Sequence, residues 1–355
     1  MRFLSIALII SILMWPACIQ PVPPSAPGTP TEPLPQTQPA TEPQSPPAAA
    51  THPNPGPSSD NRTKLIYGMK GVGIRLPQSD FAEMKAAGID VLATEWGMEQ
   101  DINEVKAFLD QAQAAGLKVI MDGGFSYTAW GFTDDDWDKL PRGKHPVWQK
   151  DRVQSWVKAL KYHPAIYAWD ICNEFGENLP SGADIKGSDW PKGMITANQI
   201  KQARADVLEA DSTRPIQVRM YEWDIGKMPR QVKSVLEDKT ADIISLNLYS
   251  NYMENGKLQW PDIIEEGGPY FVSSIKKIAP ETRIWLSIAV FEYHDQFQRP
   301  TPATLSRDLK YAKQIPQLDA ISFFDWGPDN KWDPMSDWYL PKTGADLWAV
   351  IKVNL

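Results

Sequence analysis

The pattern of hydrophobic and polar positions divides most of the chain into short strands that alternate with amphipathic helices. Runs of β-branched and aromatic residues are followed, again and again, by segments with apolar residues at helical spacing. The predicted strands are Gly71–Leu76, Val91–Trp96, Lys118–Asp122, Ile166–Asn173, Pro215–Tyr221, Ile243–Tyr249, Arg283–Val290 and Ala320–Asp325. Eight strand–helix units predict an α/β fold, a (β/α)8 TIM barrel.

The helices between these strands carry ordinary start and stop signals. Ser79–Ala87 ends before Gly88, and Asn103–Ala115 ends before Gly116, as helices that end at a glycine do. The other predicted helices are Val147–Lys161, Thr196–Asp211, a short one at Pro229–Glu237, Ile263–Ile278, Thr304–Gln314 and Ala345–Val353.

The first 63 residues lack this pattern. Residues 1–18 carry Arg2 and an apolar run that is too short to span a membrane as a mature helix, which indicates a signal peptide. Residues 19–63 are rich in proline and poor in apolar bulk, so they predict a disordered linker. We expect one folded domain at residues 64–355.

Ala17 and Cys18 resemble the cleavage site of bacterial lipoproteins, whose new N-terminal cysteine is lipidated. Trp15 and Pro16 depart from the usual residues there, so plain secretion is the alternative. A lipidated cysteine followed by an extended linker would hold an enzyme clear of the envelope. The expected location is therefore extracytoplasmic, with attachment to the membrane through the lipid on Cys18.

Composition excludes several classes of function. The formal net charge of −8 argues against nucleic-acid binding, which favours a basic surface. The chain has only two cysteines, so it has no disulfide framework, and Cys172 is expected to be a small buried residue. Four histidines offer little for a zinc site, which disfavours a metal-dependent hydrolase. No cofactor is implied, and we expect a monomer.

Polar residues recur where the predicted strands end. In a closed barrel these strand ends meet at one rim, so the side chains should converge there. The set is rich in carboxylates, which raise the pKa of their neighbours and so suit acid–base chemistry. Its members are Arg75, Glu95, Asp122, Asn173, Glu174, Glu222, Asn247, Tyr249, Glu292, Asp325 and Trp326.

The phrase Tyr-His-Pro-Ala-Ile-Tyr-Ala-Trp-Asp-Ile-Cys-Asn-Glu-Phe, at residues 162–175, is the most informative of these strand ends. It resembles the fourth strand of clan A of the glycoside hydrolases, retaining (β/α)8-barrel enzymes whose fourth strand ends in Asn-Glu. The resemblance implies that Glu174 is the general acid/base and that Asn173 binds the sugar 2-hydroxyl. Retaining hydrolysis also needs a second carboxylate about 5 Å away.

In clan A the nucleophile ends the seventh strand, and here that strand runs into Glu292. Glu292 is the first candidate, although it stands about four residues later than many members would place it, near Ile288. The strand could be longer or bulged, or the nucleophile could have moved or been lost. Glu222 and other rim acids are the alternatives.

The resemblance assigns further roles at the rim. Tyr249 ends the sixth strand, where the clan places a tyrosine that hydrogen-bonds the nucleophile, and Arg75 would help to keep Glu292 charged. Trp326, after Phe-Phe-Asp, resembles the clan's platform under the reacting sugar, and Asn247 is assigned to substrate binding. The 15 tryptophans, several of them in predicted rim loops, favour an extended carbohydrate groove.

These observations predict a family 5-like glycoside hydrolase that cleaves a β-linked polysaccharide or oligosaccharide by double displacement. The alternative is a carbohydrate-binding or scaffold lipoprotein that kept the barrel and lost catalysis. The late position of Glu292 makes this alternative credible.

Overall fold

The structure, a computed structural model, describes residues 65–95, 97–122, 128–131, 147–173, 195–221, 230–293, 296–327 and 338–355. These residues belong to one compact unit, Asp60–Leu355. The predicted signal peptide, the linker and Cys18 lie outside the described residues, and so do Glu174 and Glu222.

Eight parallel strands close into a barrel, each hydrogen-bonded to the next around the ring, so the predicted (β/α)8 fold is confirmed. The closing contact pairs the first strand with the last, with Ile66 opposite Ala320. The strands are β1 (Ile66–Val72), β2 (Val91–Thr94), β3 (Lys118–Met121), β4 (Ile166–Asp170), β5 (Ile216–Tyr221), β6 (Ile243–Leu248), β7 (Arg283–Ala289) and β8 (Ala320–Phe324).

Besides short segments such as Leu340–Thr343, the described residues form eight longer helices, one after each strand. They are α1 (Gln78–Ala86), α2 (Ile102–Ala114), α3 (Lys150–Leu160), α4 (Ala197–Ala210), α5 (Arg230–Glu237), α6 (Gly268–Ile278), α7 (Pro302–Ala312) and α8 (Ala345–Asn354). Side-chain caps fix three of their starts: Asp101 accepts from the N–H of Asn103 before α2, Thr196 forms a capping box with Gln199 before α4, and Thr301 accepts from the N–H of Thr304 before α7. No described helix could cross a membrane.

The first strand lies earlier than the sequence pattern suggested, at Ile66–Val72 instead of Gly71–Leu76. Ile74 and Leu76 are buried as a strand would bury them, but they pack against the core after β1 has ended. Burial alone does not separate a strand from a packed loop, which explains the error. The other seven strands agree with their predicted positions to within a few residues at each end.

The barrel has two apolar cores. The larger one fills the space between the strands and the surrounding helices. A smaller cluster fills the part of the interior nearest the amino ends of the strands, which we call the amino half, and consists of Val91, Ala93, Ile120, Ala168, Ile243, Trp285 and Ala320. Interior packing of this kind makes the barrel a solid core instead of a pore.

Candidate active site

The other part of the barrel interior, which we call the carboxyl half, is polar. On β5 the residues that alternate with Ile216, Val218 and Met220 are polar, and they face inward because these apolar residues pack against the helices. β6 repeats the alternation with Ser245 and Asn247. The buried polar residues of the carboxyl half are Lys70, Asp122, Asp170, Gln217, Arg219, Ser245, Asn247, Ser287, Ser322 and Asp325.

The guanidinium of Arg219 is the centre of this network. Its Nε donates to Oδ2 of Asp170 at 2.6 Å, and its Nη2 donates to Oδ2 of Asp122 at 2.5 Å. Its Nη1 lies 3.5 Å from Oε1 of Glu95. Because these three carboxylates stand at the ends of β4, β3 and β2, one side chain of β5 ties four neighbouring strand ends together.

Burial and the crowding of charge set the protonation of this network. Burial raises the pKa of Asp122 well above its usual range; Arg219 opposes this rise, and the nearby Asp170 and Glu95 add to it. Burial alone would lower the pKa of Arg219, but the three carboxylates outweigh it and raise that pKa. The guanidinium of Arg219 therefore stays charged, and Asp122, Asp170 and Glu95 share this one cation.

Lys70 is a second buried cation, carried by β1. Its Nζ donates to Oγ of Ser245 and to Oδ1 of Asn247, both at 2.9 Å, so it reaches across the interior to β6. Asn247, expected to bind substrate, here accepts a hydrogen bond from a buried ammonium. Next to Lys70, a Cβ on Gly71 would lie 1.9 Å from Oδ1 of Asp325, so glycine makes room for that buried carboxylate.

Asn173 lies three residues after the carboxyl end of β4. Beyond Asp170 the chain continues beside β5, and the N–H of Arg219 donates to the carbonyl of Cys172 at 2.9 Å. The side chain of Asn173 is partly buried, and its Oδ1 has no hydrogen-bond partner among the described residues. Glu174, the next residue, lies outside them. A shielded acceptor in this position suits a hydroxyl donor from a ligand.

The predicted nucleophile, Glu292, lies beyond the end of β7. β7 ends at Ala289, and the buried polar residue that it contributes to the carboxyl half is Ser287. Glu292 follows after Val290 and Phe291, and its side chain is exposed. Within β7 itself no residue is a carboxylate, so a nucleophile on this strand would have to come from the segment after it.

Tyr249 lies beside that segment. It is almost fully buried, and its ring packs edge-on against Phe291 with centroids 5.5 Å apart. It also stacks on Phe324 of β8 at 6.1 Å and meets Tyr221 of β5 at 6.2 Å. The structure thus packs Tyr249 against Phe291, the residue that precedes Glu292.

Arg75 does not stand at the end of a strand. It follows β1 in a loop, and its Nη2 forms an exposed ion pair with Glu104 of α2 at 3.0 Å. Gln100 accepts from the same nitrogen at 3.5 Å. The expectation that Arg75 supports Glu292 rested on the misplaced first strand, and the cation that β1 puts into the barrel is Lys70.

Trp326 is packed in the core instead of lining an open sugar site. Its side chain is 0% exposed, and its Nε1 donates to Oδ2 of Asp80 in α1 at 3.1 Å. Tyr339 and Trp348 pack edge-on against its ring. A ring enclosed on these sides offers no face to a sugar, so its assignment as a platform is corrected.

Sequence reasoning missed the basic residues of the site. Arg219 and Lys70 were not proposed, although a signal for Arg219 exists. In a barrel strand covered by helices, polar residues that alternate with apolar ones must face the interior, and β5 has this alternation. Cys172 is buried, as expected. Within the described ranges no group of three or more His, Cys, Asp or Glu residues could hold a metal ion.

Comparison with solved structures finds glycosidases that share this fold. A β-galactosidase from the psychrophilic Marinomonas ef1 aligns with a TM-score of 0.56 and 13% identity over 81% of this chain and 58% of its own. An exo-β-1,4-mannosidase from Opitutaceae bacterium strain TAV5 aligns with a TM-score of 0.55 and 11% identity, over 82% of this chain and 59% of its own.

A Bacteroides uniformis β-glucuronidase aligns with a TM-score of 0.54 and 14% identity, over 81% of this chain and 35% of its own. The chain thus spans less than two thirds of each of these proteins. No family model and no curated protein matches the sequence. At such low identities the likeness establishes the barrel fold, which these glycosidases share.

Proposed function

We propose that this chain is a glycoside hydrolase that cleaves a β-linked glycan with retention of configuration. The observation that carries the proposal is the position of Asn173, held at the carboxyl end of β4 directly before Glu174. Residues at this end of barrel strands form the active sites of (β/α)8 enzymes. The β-glycosidases that share the fold support the same class of reaction.

In this proposal Glu174 protonates the leaving oxygen while a carboxylate attacks the anomeric carbon. The resulting glycosyl–enzyme is then hydrolysed by a water molecule that gives its proton to Glu174. Glu292 is the proposed nucleophile, with Tyr249 beside the segment that carries it. Asn173 binds the sugar 2-hydroxyl through its side-chain amide.

A second function, sugar binding without hydrolysis, is favoured by one specific observation. The residues of β7, Arg283–Ala289, include no carboxylate, and Glu292 is exposed beyond the end of the strand. A retaining enzyme needs its two carboxyl groups about 5 Å apart. If Glu292 does not reach that distance from Glu174, the barrel would bind glycans without cleaving them.

The two functions are separated by three glutamine variants. Glu174→Gln and Glu292→Gln should each lower turnover of p-nitrophenyl β-D-galactoside, mannoside, glucoside or glucuronide, whichever is cleaved, and of β-linked polysaccharides. For Glu174 the expected loss is about 10²–10⁴-fold on unactivated substrates. Glu281→Gln, an exposed residue just before the opposite end of β7, is the control and should change nothing.

Sugar binding, measured by calorimetry, should survive in both site variants. Wild-type turnover that neither substitution lowers would overturn the assigned catalytic residues. Binding with no wild-type turnover on any substrate would favour the second function.

We also propose that the mature protein is held at the cell envelope through lipid on Cys18, with the proline-rich linker as a spacer. The motif at Ala17 and Cys18 supports this proposal. Mass spectrometry of the mature N-terminus should find a lipidated Cys18, and Cys18→Ser should release the protein from membranes. An unmodified terminus within the linker would indicate plain secretion.

A further inference from the structure

Asp170, the last residue of β4, is held by two side chains of β5. Its carboxylate is 0% exposed, and Oδ2 accepts from Nε of Arg219 and from Nε2 of Gln217, both at 2.6 Å. Its Oδ1 accepts from the backbone N–H of Cys172 at 3.3 Å. The carboxylate of Asp170 therefore connects β5 to the segment that leads to Asn173.

The backbone after Asp170 is fixed as well. The N–H of Ile171 donates to the carbonyl of Gln217 at 3.0 Å, and the N–H of Arg219 donates to the carbonyl of Cys172 at 2.9 Å. Trp130, in the short helix Thr128–Trp130 after β3, donates its Nε1 to the carbonyl of Ile171 at 3.2 Å. The chain is thus pinned up to the residue before Asn173, although regular strand structure has ended.

Stability alone does not account for such a network. Buried ion pairs seldom stabilise a fold more than apolar side chains of similar volume would, because both charges lose their hydration. The amino half of the same interior is filled by apolar residues. The guanidinium lies instead under the strand ends, where it contacts the carboxylate that leads directly to Asn173.

We propose that Arg219, acting through Asp170, is a positioning residue that sets where Asn173, the residue before Glu174, leaves the barrel wall. The catalytic part of this inference rests on the proposed role of Glu174 as general acid/base. Nε of Arg219 holds Oδ2 of Asp170, and Oδ1 of Asp170 holds the backbone N–H of Cys172. A displacement of about 1 Å at a catalytic group can cost about 100-fold in rate, so this arrangement matters for turnover.

Two asparagine variants form a matched pair for the test. Asp170→Asn and Asp122→Asn each remove one carboxylate from the same guanidinium, but only Asp170 also bonds the segment before Asn173. Asp170→Asn should lower kcat on the best p-nitrophenyl β-glycoside by about 10–100-fold with KM within about 3-fold of wild type. Asp122→Asn, which leaves the bond between Asp170 and Cys172 in place, should lower kcat by a clearly smaller factor than Asp170→Asn does.

Arg219→Lys keeps the positive charge but lacks the planar guanidinium whose Nε bonds Asp170. It should therefore lower kcat as Asp170→Asn does. Rates are expressed per folded molecule, with folding checked by circular dichroism. A purely structural role would lower the melting temperature of both asparagine variants and leave kcat per folded molecule unchanged. Equal losses of kcat in the two variants, or no loss in Asp170→Asn, would overturn the proposal.

A second readout does not depend on hydrolysis. Crystal structures of the two asparagine variants should place Cα of Asn173 about 1 Å from its wild-type position in Asp170→Asn and close to it in Asp122→Asn. An undisplaced Asn173 in Asp170→Asn would overturn the positioning role even for a protein that only binds sugars. Absence of wild-type turnover together with a displaced Asn173 would instead reject the hydrolase function and keep the positioning role.

Discussion

The amino half and the carboxyl half of the barrel interior are made of different chemistry, although the same eight strands pass through both. The amino half is filled by apolar side chains such as Ile243 and Trp285. The carboxyl half holds Lys70 and Arg219 together with buried aspartates. Apolar filling stabilises the closed barrel, whereas buried charge costs hydration energy that its ion pairs only partly return.

The contrast shows where the chain carries a local energetic cost. Proteins tend to depart from the most stabilising choice of residue where function requires it. Within the described barrel interior, the buried charges Lys70, Asp170 and Arg219 lie in the carboxyl half. The two halves should therefore respond to substitution in different ways, and each response can be measured.

Removing the guanidinium should produce the largest loss of stability. In Arg219→Met the carboxylates of Asp122, Asp170 and Glu95 lose their shared cation, which should lower the free energy of unfolding by about 3–5 kcal/mol. The loss should be smaller near pH 4 than near pH 8, because carboxylates without a cation take up protons more readily. Urea unfolding at both pH values measures this difference.

The control is Arg204→Met, which breaks a partly exposed pair with Asp242. Such pairs contribute about 0–1 kcal/mol. If Arg219→Met and Arg204→Met lowered the free energy of unfolding equally, the buried network around Arg219 would contribute no more than a partly exposed ion pair.

Shortening a side chain in the amino half should lower the free energy of unfolding without affecting turnover. Ile243 is fully buried in the inner apolar cluster, so Ile243→Ala should lower the free energy of unfolding by about 2–5 kcal/mol and Ile243→Val by about 0.5–1.5 kcal/mol. Turnover per folded molecule should stay close to wild type in both. A tenfold fall in kcat for the valine variant would contradict the division of the interior into a stabilising half and a functional half.

The division into halves was only partly predictable from the sequence. Periodicity gave the strand–helix units because each strand and helix buries one apolar face, and that requirement is local. It misplaced β1, because Ile74 and Leu76 are apolar and buried without being in a strand. A first strand at Gly71–Leu76 would end near Arg75, whereas the strand at Ile66–Val72 carries Lys70 into the interior.

Contacts between distant parts of the chain explain the remaining differences. Trp326 is buried because Asp80 accepts its indole N–H and Tyr339 packs against it, and no local pattern joins these three positions. Arg219 could have been found from the alternation along β5, whereas its choice of Asp122 and Asp170 as partners depends on the order of strands around the barrel. Asn173 needed no such information, since it follows its strand directly.

Two buried aspartates, Asp211 and Asp122, differ in the direction in which the fold shifts the pKa of the carboxyl group. Asp211, in the loop between α4 and β5, accepts hydrogen bonds from Trp169, Arg214 and both the N–H and hydroxyl of Thr213. Burial alone would raise the pKa of Asp211, but these hydrogen bonds outweigh it and lower the pKa. Asp122 has a raised pKa, because burial outweighs its bond to Arg219.

The two residues should therefore give opposite dependences of stability on pH. A carboxyl whose pKa is lowered by folding stabilises the protein above its unfolded pKa of about 3.9, and this contribution disappears as the pH falls through the folded value. The stability difference between wild type and Asp211→Asn, about 1–3 kcal/mol at pH 7, should therefore shrink in acid. For Asp122 the sign reverses, so wild type should lose stability relative to Asp122→Asn as the pH rises above about 3.9. Thermal unfolding of the three proteins from pH 3 to pH 8 measures both slopes, and parallel slopes would mean that the two aspartates lie in equivalent electrostatic surroundings.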